Sequence, residues 1–122
     1  MLEFMLDDLD DGALDALPFG VVCLDDRMKV VRMNRTESEA SGIQRWRAIG
    51  RDFFRDVAPG PANQRLAQHV AAFASAVPKT QPGATCGEIP HTFPRRAGAD
   101  PTIVSLARGR TSDRVYLCIR RS

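Results

Sequence analysis

The stretch Gly50-Arg51-Asp52-Phe53-Phe54-Arg55-Asp56-Val57-Ala58-Pro59-Gly60 leads into a run over residues 61–77. In that run Leu66, Val70, Phe73 and Val77 recur at 4-3-4 spacing, one apolar stripe of a helix facing a core. Pro61 suits the first helical position, while Pro78 and Pro82-Gly83 end the run. Gly50 breaks whatever precedes it, and Phe53, Phe54 and Val57 mark an apolar turn. Two β-like segments precede this connector and three follow it. The expectation is an α+β fold: one five-stranded antiparallel sheet, element order β-β-α-α-α-β-β-β, with helices packed on one face.

Upstream, Phe19 to Leu24 is β-branched and apolar and ends at the turn signal Asp25-Asp26. Lys29 to Asn34 reads as its hairpin partner. Asn34 stops that strand and caps a short helix over Thr36 to Ala40, with Gly42 at its left-handed exit. Ile43 to Ile49, containing Trp46, makes another helical turn. Residues 1–16 are acidic, with Leu6, Leu9 and Leu14 as anchors for a short N-terminal cap; a mobile extension is the alternative. Downstream, Cys86 to Phe93 alternates, placing Ile89, His91 and Phe93 on one face, and Pro90 marks an edge strand or a bulge. Arg95 to Asp100 reads as a loop, Thr102 to Ala107 as a strand, Gly109 to Asp113 as a hairpin connection and Val115 to Ile119 as the last strand. The expected division is a cap over residues 1–17 and one domain over residues 18–122.

A chain of 122 residues suffices for one buried core. Its net charge of +2 lacks the clustered basic face of a nucleic-acid binder. No apolar run is long enough to span a bilayer, and the N-terminus is acidic where a secretory signal would be basic, so a cytoplasmic protein without membrane contact is expected. Cys23, Cys86 and Cys118 are widely spaced, an odd set that indicates neither a disulfide framework nor a zinc ribbon. No G-x-S-x-G, phosphate loop or H-E-x-x-H occurs, so no catalytic activity is expected.

The strings Asp10-Asp11-Gly12-Ala13-Leu14-Asp15-Ala16-Leu17-Pro18-Phe19-Gly20 and Ile49 to Pro59, with Asn34, Glu37 and Gly42 between them, resemble the photoactive-yellow-protein branch of the PAS domains. The resemblance implies a sensory, signal-transducing domain. It also implies a hydroxycinnamoyl chromophore on a cysteine directly after the D-V-A-P string, but that position is Gly60. The tyrosine that hydrogen-bonds the chromophore corresponds to Met33, the buried acid to Glu37, the helper threonine to Ser41 and the gating arginine to Ile43. A p-coumaric acid thioester is therefore not expected, and none of the three cysteines lies in the loop that would replace it.

Glu37 is either a buried proton donor to a ligand or an exposed helix residue kept by ancestry. His69 lies about 60–70° from the centre of the helical stripe, on its inward shoulder. PAS domains that bind haem through a histidine of this connector helix resemble that arrangement; the alternative is a boundary histidine. His91, on the strand face covered by helices, would be an opposite axial ligand or a distal hydrogen-bond donor. Met33 is either a soft alternative as a sixth ligand or a core-packing residue, and Phe73 adds an apolar wall. No C-x-x-C-H occurs, so any haem is non-covalent. Arg45, Arg47, Arg51 and Arg55 form a basic run, suited to a propionate, a phosphate or an acidic partner surface, or simply a solvated face.

Two functional readings follow. One is a PAS sensor with non-covalent b-type haem, iron held by His69 and His91, responding to O2, CO, NO or redox state and acting on an effector or partner protein. The other is a ligand-free PAS module for dimerisation or protein interaction, pairing through the cap or the outer sheet face.

Overall fold

The structure, a computed structural model, describes residues 6–76, 85–95, 98–109 and 114–121. Strands β1 (Gly20–Leu24) and β2 (Val30–Met33) form the first hairpin. Its turn is closed by Asp25, whose Oδ1 accepts from the Arg27 and Lys29 amides. After the connector come β3 (Thr85–Arg95), β4 (Gly98–Arg108) and β5 (Val115–Arg120), all antiparallel, in the order β2-β1-β5-β4-β3. The first and last strands of the chain thus meet in the middle of the sheet. β3 is an edge strand with a register shift between Cys86 and Ile89, so Pro90 withholds an amide where no further strand needs one.

The stretch expected as a loop over Arg95 to Asp100 is mostly strand: Arg95 pairs with Gly98 and Pro94 with Ala99. Ladder pairing with the adjoining strand overrides the weak local propensity of these residues. Val77 and residues 110–113 lie outside the described residues.

Helices α2 (Arg35–Ser41), α3 (Arg45–Ala48) and α4 (Pro61–Ala76) cover one face of the sheet, with a π-helical turn at Phe53–Val57 between α3 and α4. Leu66, Val70 and Phe73 of α4 meet Val22, Leu24, Val104, Leu106, Leu117 and Ile119 in the main core. The connector also runs beside β2: the Gly50 amide donates to the Val30 carbonyl at 2.7 Å, Val30 to Arg51 at 2.9 Å and Phe53 to Met28 at 2.9 Å.

The opposite face over β1 and β5 is covered by residues 6–16, which include α1 (Asp11–Asp15). Leu6 and Leu14 pack on Val21, Cys23, Ala107, Tyr116 and Cys118, so the cap is docked from Leu6 onward. Arg32 secures it, donating to the Leu6 carbonyl at 3.2 Å, the Leu9 carbonyl at 2.6 Å and the Tyr116 hydroxyl at 3.0 Å. Tyr116 in turn donates to Asp7 Oδ1 at 2.6 Å.

Candidate functional site

Asn34 organises the approach to the site. Its Oδ1 accepts from the amides of Val21 (2.9 Å) and Glu37 (3.0 Å), and its Nδ2 donates to the carbonyls of Leu14 (2.9 Å) and Phe19 (3.0 Å). One buried amide thereby caps α2 and joins it to β1 and the cap, with every polar atom satisfied.

The α2 start set by that cap points Glu37 inward, where it is 5% exposed. Its carboxylate lies against Gly20, and a Cβ at position 20 would collide with it. Arg121, just past β5, donates to it at 2.8 Å and 3.2 Å through its two terminal nitrogens. The same guanidinium donates through Nε to both oxygens of Asp100, at 3.1 Å and 3.0 Å. Burial acts to lower the Arg121 pKa, but the hydrogen bonds with Glu37 and Asp100 outweigh it and hold the pKa above the ordinary arginine value.

Glu37 lines a cavity of about 120 Å³ with Met33, Ser41, Ile43, Phe53, Val57, Ala58, Pro59, Asn63, Phe93 and Pro94. The opening stretch of the sequence supplies one wall. Asp52 caps the π-turn through Oδ1, accepting from the Phe54 and Arg55 amides, and the turn aims Phe53 into the core and Val57 at the cavity. Asn63 donates through Nδ2 to the Ala58 carbonyl at 3.0 Å, leaving its Oδ1 to accept from His91 Nε2 at 2.7 Å. His91 therefore carries its proton on Nε2. Burial, with Arg65 and His69 nearby, pushes its pKa below the ordinary value and keeps the ring neutral.

The PAS fold family matches residues 14–81, more than half of the chain. The chain belongs to the PAS fold family. Within it, the chain is 34% identical over 58 residues to the photoactive yellow protein of Rhodothalassium salexigens, a match covering 48% of this chain and 46% of that one. It spans about half the length of the curated relatives it matches. The fold resembles the photoactive yellow protein domain of the sensor histidine kinase Ppr from Rhodospirillum centenum over 98% of this chain and 99% of that one, at 24% identity and TM-score 0.82. It also resembles the PAS domain of the Cronobacter turicensis quorum-sensing receptor RpfR, solved with C12:0, over 86% and 94% of the chains, at 16% identity and TM-score 0.67.

In this PAS domain Met33, Glu37, Ser41 and Ile43 all line the cavity. Asn63, Phe53 and Phe93 are among the others that line it, and none of the three is an expected site residue. Asn63 stands three residues before Leu66, so its helical phase carried the signal. Glu37 is buried, and both of its carboxylate oxygens accept hydrogen bonds from Arg121. Phe73 belongs to the main core and does not line the cavity.

The iron-ligand expectation needs correction. His69 is exposed, because the buried arc of α4 takes in Asn63, Ala67 and Ala74 as well as Leu66, Val70 and Phe73. On a helical wheel His69 falls roughly 100° from the middle of that arc. His91 is buried as expected, but it faces an outer groove with Arg65 and Thr102 and is bonded to Asn63. The two histidines do not face each other across the cavity, which is also too small for a porphyrin. The thioester chromophore does not fit the residues present either. Gly60 has φ +121, a conformation L side chains rarely adopt, and Met33 offers no hydroxyl. No described helix is long and apolar enough to cross a membrane.

Proposed function

We propose that this chain is a PAS sensory domain that takes up a small organic ligand non-covalently beside Glu37 and signals to a partner protein. The observation that carries this is the cavity itself. It is walled by Met33, Ile43, Phe53 and Phe93, with Glu37, Ser41 and Asn63 as its polar contacts. At about 120 Å³ it approaches the roughly 150 Å³ of an apolar protein cavity that holds benzene. A single aromatic ring or a short aliphatic chain with one hydrogen-bond donor matches it. With Gly60 where the resemblance expects the attaching cysteine, such a guest is held by shape and hydrogen bonds alone. The RpfR domain, solved with C12:0, supports the idea that this architecture takes small organic guests. Haem, with O2, CO or NO as its signal, draws no support from the placement of His69 and His91.

The test is a titration with phenol and with free p-hydroxycinnamic acid, followed by amide chemical shifts. Perturbations confined to Met33, Ser41, Ile43 and Asn63, abolished by a cavity-filling Ser41→Phe substitution, are expected. Shifts absent at millimolar ligand, or unaffected by Ser41→Phe, would remove the reading. A Soret band dependent on His69 after expression with haem would restore iron in its place.

A further inference from the structure

The four-residue α3 carries the chain's only tryptophan, and that indole is not in the core. Trp46 is 70% exposed and the neighbouring Ile49 is 44% exposed. They are the two large apolar side chains most exposed among the described residues, and they stand three positions apart in the sequence. Trp46 is also held in place, since its Nε1 donates to Gln44 Oε1 at 2.7 Å and the Arg47 guanidinium sits 5.2 Å from its ring centroid. The platform beneath is tied to the sheet through the Gly50–Val30 and Val30–Arg51 hydrogen bonds. The surface is therefore pre-organised, which lowers the ordering cost of binding.

Trp46, Arg47, Arg51 and Asp56 line a surface hollow of about 400 Å³, with exposed Arg55 close in sequence. Arg45 is committed to Asp15 by a 2.9 Å ion pair. Among the residues that line the hollow, the two arginines Arg47 and Arg51 outnumber the carboxylate of Asp56. Aromatic and arginine side chains are the residue types that anchor protein interfaces, and arginine binds carboxylates in two-pronged fashion.

We propose that the α3 surface docks an acidic segment of a partner protein, with one apolar side chain of that segment seated against Trp46. The net positive charge selects the carboxylates, and the hollow admits a side chain. Asp56 within it accepts a peptide N–H but repels a phosphate headgroup, which favours a peptide over an anionic lipid surface. The docking does not depend on occupancy of the Glu37 cavity.

Because Trp46 is the only tryptophan, fluorescence excited at the red edge, where Tyr116 does not absorb, reads this site alone. The probe is a synthetic glutamate-rich peptide with a single central leucine, run beside vesicles of anionic phospholipid. A saturable blue shift with peptide, weakened several-fold on raising the salt to physiological strength, is expected. An Arg47→Glu/Arg51→Glu variant with an unchanged circular dichroism spectrum should lose it. No shift with peptide, a shift with vesicles alone, or a peptide response that survives the charge reversal would each overturn the proposal.

Discussion

Replacing Arg121 by methionine should expose how much of the stability depends on one guanidinium. In the native protein it serves two carboxylates, Glu37 at 2.8 Å and Asp100 at 3.0 Å. The Glu37 side chain is 6% exposed, against 19% for Arg121 and 16% for Asp100. Removing one partner of a buried pair typically costs about 3–5 kcal/mol, because the remaining charge is stranded. Asp100 and Arg121 retain some water, which reduces the figure to roughly 2–3 kcal/mol here. For a domain of this size that lowers the melting temperature by roughly 8–12 °C. Urea unfolding followed by circular dichroism measures the loss. The double variant Glu37→Gln/Arg121→Met removes the stranded carboxylate and should recover about half of it, a positive coupling in a double-mutant cycle. A loss below about 0.5 kcal/mol, or strictly additive effects, would refute the claim that the pair is buried and mutually dependent.

Three other outcomes follow from the same geometry. Gly20→Ala forces a methyl into the Glu37 carboxylate and should cost about 1–3 kcal/mol in urea unfolding, relieved when Glu37→Ala is added. His91 has a native pKa below its ordinary 6.5, so between that value and the depressed native one the unfolded chain binds a proton the native protein does not. Stability should be complete above pH 6.5 and fall as the solution is acidified through that window, and His91→Gln should flatten the slope measured by thermal unfolding at stepped pH. Burial pushes the Cys23 thiol up to about 12, so at pH 8 roughly one in ten thousand is ionised. In a Cys86→Ser background, native protein should resist a thiol reagent that modifies the urea-unfolded chain within minutes; fast native labelling of Cys23 would contradict its burial under the cap.

Much of the architecture was legible in local patterns. Alternation located the strands, the 4-3-4 stripe located α4, and Asn34 and Gly42 set the ends of α2 where side-chain capping and a left-handed residue require them. Pro90 marked an edge strand because a missing amide is tolerated only there. Met33, Glu37, Ser41 and Ile43, the counterparts of the chromophore-contacting positions in the family the sequence resembles, line one cavity. His69 shows where periodicity runs out. A stripe read from four apolar residues was rotated by Asn63, a polar residue that is buried because Ala58 and His91 satisfy its amide.

The sequence by itself determined the order of strands and helices, the helix caps and the membership in a family. The elements and caps rest on residues a few positions apart, and the family on residue strings read directly from the chain. Only the tertiary structure decided which way α4 turns, that Arg121 reaches Glu37 across 84 positions of chain, and that Trp46 remains outside the core. Those outcomes depend on which surfaces the folded sheet and helices bring together, and a carboxylate or an indole carries no local sign of the partner it will meet.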